Sequence, residues 1–423
     1  MPQIDDKTGE IKRIKIENPF RPGAGHMPPY LAGREHETKE FRKLLDQDVI
    51  LDNLVLTGLR GLGKTVLLEI FKPLAIQEGW LWAGTDLSES TSVTEENLAL
   101  RLLTDLSVVT SSILITAEQS PIGFTQSPEE VPTTLNFSAL KAIYDSTPGL
   151  ILDKLKMVLE FVWPEVEAVK SRGIIFAYDE AQNLADHDAK EQYPLSLLLD
   201  LFQSLQRKGI RFMLALTGLP TLFPKLVEAR TFAERMFHQI FLAPLNEEET
   251  TKAIREGIKK KSCAVHFSPE SITTIWSITR GYPYFVQYVC REVFDVWVQA
   301  LNAGVTPPGI PVSEIMRKLD ADFFAGRWAK VTDRQRELLW IIATLDNCES
   351  EFTVQEVAEA PPNKLQEGPF SSSSINQALG LLTKSGLIYK NRHGKYSFAV
   401  PLLSEFIKRQ ASQYYSQTTA TTS

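Results

Sequence analysis

The stretch Gly58-Leu59-Arg60-Gly61-Leu62-Gly63-Lys64-Thr65 leaves the chain around it little freedom. It continues from LDNLVLTG (51–58), an apolar run that reads as a short buried strand. It opens VLLEIFKPLAIQEG (66–79), which reads as a helix stopped near Gly79. Glycines at 58, 61 and 63 let successive backbone N–H groups turn inward, and the following helix aims the positive end of its dipole at the same point. The spacing matches G-x-x-x-x-G-K-[ST], a phosphate-binding loop. Lys64 is expected to reach β- and γ-phosphates and Thr65 to ligate Mg²⁺. Leu59, Arg60, Leu62 and Val66 complete the stretch of backbone that faces the nucleotide.

Further strands extend this beginning. WLWAGTDL (80–87) reads as a second strand, GIIFAYDE (173–180) as an apolar strand ending in two acids, and IRFMLALTG (210–218) as another buried strand. Helical stretches separate them, among them ILDKLKMVLEFVWPEVEAVKS and YPLSLLLDLFQSLQRKG, the latter closed by Gly209. Apolar strands alternating with helices predict a parallel sheet covered on both faces. Residues 88–150 are a long Ser/Thr-rich insertion with helical stretches and a loop-like middle, TAEQSPIGFTQSPEEVPTT.

The acid-tipped strand suits Mg²⁺-dependent hydrolysis. Asp179 is expected to hold the metal through water, and Glu180 to orient and polarise the attacking water. Thr217 ends a strand expected beside the one carrying Asp179, where its hydroxyl would sense the γ-phosphate or that water; the alternative is a local hydrogen bond. Arg230 and Arg235 follow that strand. An arginine there either stabilises transition-state charge in a neighbouring subunit's site or is a helix-surface residue, and Arg235 is the better candidate.

The net charge of −7 argues against a general polyanion binder, so any nucleic-acid contact needs a local basic surface. Cys263, Cys290 and Cys348 are far apart, form no C-x-x-C pair and read as reduced thiols in a cytoplasmic protein. The six histidines are scattered without metal-ligand spacing. The N-terminus lacks the apolar core of a signal peptide, and no apolar run is long enough for a membrane span.

Residues 1–30, rich in Pro and Gly, read as an extended segment, followed after Gly33 by an amphipathic helix. From Asn246 the pattern is helical only. Asn246 and Glu249 have capping-box spacing, Ser268-Pro269 starts a second helix ending at Gly281, and Tyr284 to about Asn302 forms a third. This is a small helical subdomain over 246–310, followed by a linker over 311–329. In 330–410, helices are expected after Thr332-Asp333, after Thr353 and over Ser372–Lys384. A hairpin turning near His393-Gly394 follows, making a winged helix-turn-helix. Residues 411–423 read as a disordered tail.

These motifs in this order resemble the AAA+ P-loop ATPases, especially the initiator (origin-recognition-like) clade, and the archaeal-type ATPase branch of the STAND NTPases. The resemblance covers about residues 17–410. Leu31-Ala32-Gly33-Arg34-Glu35-His36-Glu37 is similar to the box that lines the adenine side of the family's pocket, which assigns Gly33 and Arg34 to nucleotide binding. It implies an α/β fold, a P-loop NTPase parallel sheet with a helical lid subdomain and a C-terminal winged helix. The implied activity is Mg²⁺-dependent ATP hydrolysis. The lid stretch Thr279-Arg280-Gly281-Tyr282-Pro283-Tyr284 has the G-x-P form of the STAND proteins, which places Pro283 on the nucleotide. Tyr284 stands where initiator ATPases carry a second-sensor arginine, and Arg280 is a few residues out of place for that role.

Two partner expectations follow. Between Ser371 and Lys395 the chain carries Lys384, Lys390, Arg392 and Lys395 and no acid, a local charge of +4 suited to double-stranded DNA. Ser371 to Ser374 would donate to a phosphate, and Asn376 and Gln377 would read base edges. The competing expectation is a slow nucleotide switch acting on a protein partner. A homo-oligomer is expected if Arg235 acts across an interface.

Overall fold

The computed structural model describes residues 17–23, 25–88, 90, 94–119, 129–259, 265–361, 368, 370–392 and 394–420. The chain divides into two compact units. One comprises Arg34–Gly58 and Lys64–Leu242; the other comprises the described parts of Met1–Gly33, Leu59–Gly63 and Ala243–Ser423.

The first unit contains strands β1 (Asn53–Thr57), β2 (Trp80–Ala83), β3 (Leu114–Gln119), β4 (Glu129–Thr134), β5 (Gly173–Tyr178), β6 (Phe212–Gly218) and β7 (Phe237–Phe241). Five of them form a parallel sheet in the order β2-β5-β6-β1-β7. Every residue of β1, β5 and β6 is buried, which explains why they read as unbroken apolar runs rather than as alternation. β1 and β5 are not neighbours, because β6 lies between them.

Helices flank the sheet. Lys64–Gln77 begins inside the glycine loop, and Pro194–Arg207 starts on a proline whose missing N–H costs nothing at that position. A single core joins the strands to Glu95–Thr110, Ile151–Ala168 and Pro194–Arg207, with Phe176 in edge contact with both Phe202 and Phe212. The insertion is more ordered than its composition suggests. Its helices are Glu95–Thr110 and Phe137–Ser146, and β3 and β4 pair antiparallel across the stretch expected as a loop. The edge strand β7 and the helices Leu222–Ala229 and Ala233–Met236 were not anticipated from the pattern.

The second unit is built on helices. Glu247–Lys259 opens with the expected capping box: Asn246 N–H donates to Glu249 Oε2 at 2.9 Å, and Glu249 N–H donates to Asn246 Oδ1 at 2.9 Å. Ser268 caps Pro269–Thr279, which ends two residues before Gly281, Arg280 taking a left-handed cap at φ +49°. Gly281 follows at φ +70°, where a Cβ would meet the Leu245 carbonyl oxygen at 1.8 Å, so only glycine fits the turn into Pro283–Asn302.

The expected linker over 311–329 is instead helical: Val312–Leu319, a π-helical turn Asp320–Phe324, then Ala325–Trp328. The π turn buries Phe324 against Phe406 while Asp320 pairs with Arg409, so the segment is packed rather than loose. Helices Asp333–Thr344, Val354–Glu359 and Ser372–Lys384 follow, the first two with Thr capping boxes. β8 (Phe352–Thr353), β9 (Ile388–Arg392) and β10 (Lys395–Phe398) make an antiparallel sheet in the order β8-β10-β9. The expected disordered tail is corrected by a helix, Leu403–Ala420, whose first turns bury Phe406 and Ile407.

One core runs from the helices after Asn246 through to Ile407. The extended N-terminal segment is part of it. Phe20 is buried in edge contact with Phe267 and Phe294, and Asn18 Nδ2 donates to the Arg291 carbonyl (3.0 Å) and Asp295 Oδ1 (2.8 Å). Cys290 and Cys348 are buried free thiols, and burial pushes the Cys290 thiol well above its ordinary pKa; Cys263, His393 and residues 1–16 lie outside the described residues.

Removing the Phe20 ring should leave a cavity that its neighbours fill only partly. Phe20→Ala is expected to destabilise the second unit by about 3 kcal/mol. Urea denaturation followed by tryptophan fluorescence checks this, and an unchanged midpoint would show the N-terminal segment to be a passive appendage.

Candidate nucleotide-binding site

Parallel strands deliver their carboxyl ends to one edge of a sheet, and ligands of such sheets gather there. Here that edge carries the loop after β1, Asp86 after β2, Asp179 after β5 and Thr217 at the end of β6. The register places Leu56 beside Thr217, Tyr178 beside Leu216, and Asp86 in a parallel bridge with Asp179.

Asp179 is the hub, with only 3% of its surface exposed. Thr65 Oγ1 donates to its Oδ2, Thr217 Oγ1 donates to its Oδ1, and Glu180 N–H donates to Oδ1 at 2.8 Å. A buried carboxylate needs such donors, and these three come from three separate elements. The sequence placed Thr65 and Asp179 as the metal pair, and the fold brings them into direct contact. Thr217 is at the same carboxylate.

Lys64 is buried, and its ammonium donates to the Gly58 carbonyl oxygen at 2.9 Å across the mouth of the loop. Gly61 and Gly63 both sit at positive φ, +82° and +87°, the conformation that turns consecutive N–H groups toward one point. Gly61 also admits a close neighbour: a Cβ there would lie 3.1 Å from Tyr284 Cβ, and Tyr284 N–H donates to the Gly61 carbonyl at 3.1 Å. Leu62 is buried, whereas Leu59, Arg60, Thr65 and Val66 are half-buried.

Glu180 lies exposed in a left-handed conformation, φ +51°, and its Oε2 accepts a hydrogen bond from Gln182 Nε2. Gln182 Oε1 in turn accepts from Leu219 N–H at 3.1 Å, so the carboxylate is steered from beyond the end of β6. Neither Gln182 nor Asp86 was singled out from the sequence. The available signal for Asp86 was its place just past the apolar strand WLWA. Burial, then the charges of Asp179 and Glu69, raise the Asp86 pKa above the ordinary carboxylate value.

Other candidates are placed differently. Arg230 grips Asp200 with two hydrogen bonds (2.9 and 2.7 Å) and donates to Ser196 Oγ at 2.7 Å. The Asp200 carboxylate holds its guanidinium above the ordinary pKa, so Arg230 is committed inside its own unit. Arg235 is exposed on Ala233–Met236. Arg34 is buried in an ion pair with Glu37 at 3.3 Å, and Gly33, at φ +63°, packs against Leu245 and the Glu249 carboxyl. Pro283 is the first residue of Pro283–Asn302. Arg280 pairs with both Glu349 (3.0 Å) and Glu405, so the arginine weighed as a stand-in for the second sensor is occupied by carboxylates.

A model described as a domain of unknown function (DUF8462) matches residues 321–407. No curated protein matches the chain. Among solved structures, the Walker-type ATPase Paby2304 of Pyrococcus abyssi superposes with a TM-score of 0.54 at 16% identity, covering 89% of this chain and 96% of that one. The ORC2 protein of Aeropyrum pernix in its ADP form gives a TM-score of 0.53 at 16% identity, covering 92% and 97%. The ADPNP-ADP complexes of the ORC2 protein give 0.50 at 15%, covering 93% and 98%. With the parallel sheet, the glycine loop and the acid-tipped strand in place, this chain has the fold of the Walker-type ATPases that it resembled in sequence.

Proposed function

We propose that this chain is an ATP-binding, Mg²⁺-dependent AAA+ ATPase whose nucleotide state governs its second unit. The observation that carries this reading is the convergence of Thr65, which directly follows Lys64, and Thr217 on the buried Asp179. The donor set fits the ligand. Hydroxyl and carboxylate oxygens are the hard donors Mg²⁺ prefers, and Thr65 and Asp179 would hold it. The ion supplies neutralisation of charge on the phosphate oxygens when bound.

The remaining work falls to the chain itself. Loop N–H groups cradle the phosphates, and Lys64 exchanges the Gly58 carbonyl for a phosphate oxygen. Glu180, steered by Gln182, orients a water for attack, and Thr217 reads the occupant from the end of β6. ADPNP and ADP complexes of the similarly folded ORC2 protein are in keeping with an adenine nucleotide as ligand.

The last helices and sheet of the second unit are read as a winged helix that meets duplex DNA. Lys384 and Lys390 are exposed and Lys395 is half-buried, while the side chain of Arg392 lies outside the described residues. Ser371 caps its own helix through Ser374 N–H (3.2 Å), and Asn376 Nδ2 is turned back to the Ser372 carbonyl (3.0 Å), so Gln377 is the better base reader. A second reading, a slow switch acting on a protein partner, is favoured by the ion pairs of Arg280 and by Tyr284 at the lid-helix start: neither offers a guanidinium from that position.

Three measurements test these readings. Lys64→Ala should weaken ATP binding at least tenfold by calorimetry, since a charge-assisted hydrogen bond is worth about 1.5–3 kcal/mol; undiminished affinity would remove the phosphate-loop assignment. Glu180→Gln should retain ATP and slow hydrolysis by about a hundredfold or more; turnover at the wild-type rate would exclude its role on water. Neutralising Lys384 and Lys390 should lower the salt slope of duplex DNA binding by about 0.9 per lost phosphate contact. Anisotropy showing no binding by the unaltered chain at low salt would leave the protein-partner switch.

A further inference from the structure

Glu180 holds a left-handed backbone, φ +51°, a conformation that costs energy in any residue with a Cβ and persists only where neighbours fix it. The fixing falls on the single helical turn that follows, Ala181–Asn183. Asn183 Nδ2 ties one side of this turn to the Leu87 carbonyl, just beyond β2, at 2.9 Å.

The other anchors come from one short stretch, the residues directly after Thr217. Leu219 N–H donates to the side-chain oxygen of Gln182, and Lys225 Nζ donates to the main-chain oxygen of the same residue at 2.7 Å. Both oxygens of Gln182 are therefore held from beyond β6, and its amide nitrogen is turned to the Glu180 carboxylate. Gly218 makes room for the arrangement: a Cβ there would lie 2.6 Å from Gln182 Oε1 and 2.9 Å from Leu222 Cδ2. All of these residues belong to the first unit.

Lys225 stands on Leu222–Ala229 and is half-buried. Burial holds its ammonium below the ordinary pKa, and the charges of Asp186 and Glu228 oppose that shift. An ammonium drawn out of water needs an acceptor, and it takes the Gln182 carbonyl. A carbonyl gripped by a charged donor is held more firmly than one gripped by an amide, so Lys225 is the stronger of the two anchors on Gln182.

We propose that Lys225 is a positioning residue for ATP hydrolysis, gripping the Gln182 carbonyl so that the turn after Glu180 aims its carboxylate at the attacking water. The proposal rests on the role given to Glu180 above and adds the side chain through which that carboxylate is held. The bland alternative is a lysine that stabilises a turn and has no bearing on the water.

Steady-state turnover and ATP affinity by calorimetry separate the two on the full-length chain, for Lys225→Met, Lys225→Arg and Gly218→Ala, and for Lys225→Met combined with Glu180→Gln. Lys225→Met is expected to lower kcat about tenfold while ATP affinity stays within about twofold, since a small misplacement of a catalytic group is enough for such a loss. Lys225→Arg keeps a cationic donor and should recover part of it. Gly218→Ala crowds Gln182 without touching Lys225 and should lower kcat in the same way, which keeps the test open if Lys225→Met folds poorly. In the Glu180→Gln background Lys225→Met should cost nothing further, because it acts through the carboxylate already removed. Full kcat in both Lys225→Met and Gly218→Ala, a loss of ATP affinity with kcat unchanged, or an equal loss with and without the Glu180 carboxylate would each overturn the assignment. Wild-type turnover by Glu180→Gln alone would instead remove the parent role of Glu180, and Lys225 with it.

Discussion

A buried carboxylate with three donors organises the first unit. A buried carboxylate is costly to leave without hydrogen-bond partners, and Asp179 takes them from Thr65, Thr217 and the Glu180 N–H. The glycine loop has to end where Thr65 can reach it, and β6 has to lie between β1 and β5 so that Thr217 can do the same. The site is thus specified by the order of strands as much as by the residues on them. Thr65, on the helix behind the loop, is thereby tied directly to Asp179, just past the end of a strand two places away in the sheet.

The second unit is organised by a continuous apolar core rather than by one polar contact. Phe20 from the N-terminal segment, Phe285 and Phe294 from Pro283–Asn302, and Phe324 and Phe406 from the C-terminal segment belong to one cluster. Arg280 ties its helix cap to Glu349 and Glu405, and burial raises the Glu405 pKa even beside that guanidinium. The helical subdomain and the three-stranded sheet with its helices therefore form one body, with loop residues Leu59–Gly63 grouped alongside. Tyr284 N–H on the Gly61 carbonyl is the direct connection between this body and the loop.

Much of the first unit was legible because its signals are local. A glycine loop between a strand and a helix, and an apolar run ending in two acids, announce themselves through spacing. The caps of the second unit were equally plain: Asn246 with Glu249, Ser268-Pro269, Thr332 and Thr353 each fix a helix start with a few adjacent residues. What was missed depends on distant partners. β7 has an irregular burial pattern, so its sequence lacks the apolar run of β1, and pairing with β1 makes it a strand. Segment 311–329 looked like a linker because its order comes from Arg409 and Phe406, about ninety residues away in the chain.

The choice between Arg230 and Arg235 shows the same division. Both stand in one stretch, with Arg235 preferred in sequence, and folding reveals that Asp200 and Ser196 have taken Arg230. The sequence alone determined the phosphate loop, the acid pair and the alternation that makes a parallel sheet, since each is written in neighbouring residues and backbone propensity. Tertiary structure alone decided which carboxylate the hydroxyls of Thr65 and Thr217 share, which arginines are spent on ion pairs, and that Tyr284 rests on Gly61. Those outcomes depend on distances between residues far apart in the chain, and only packing sets such distances.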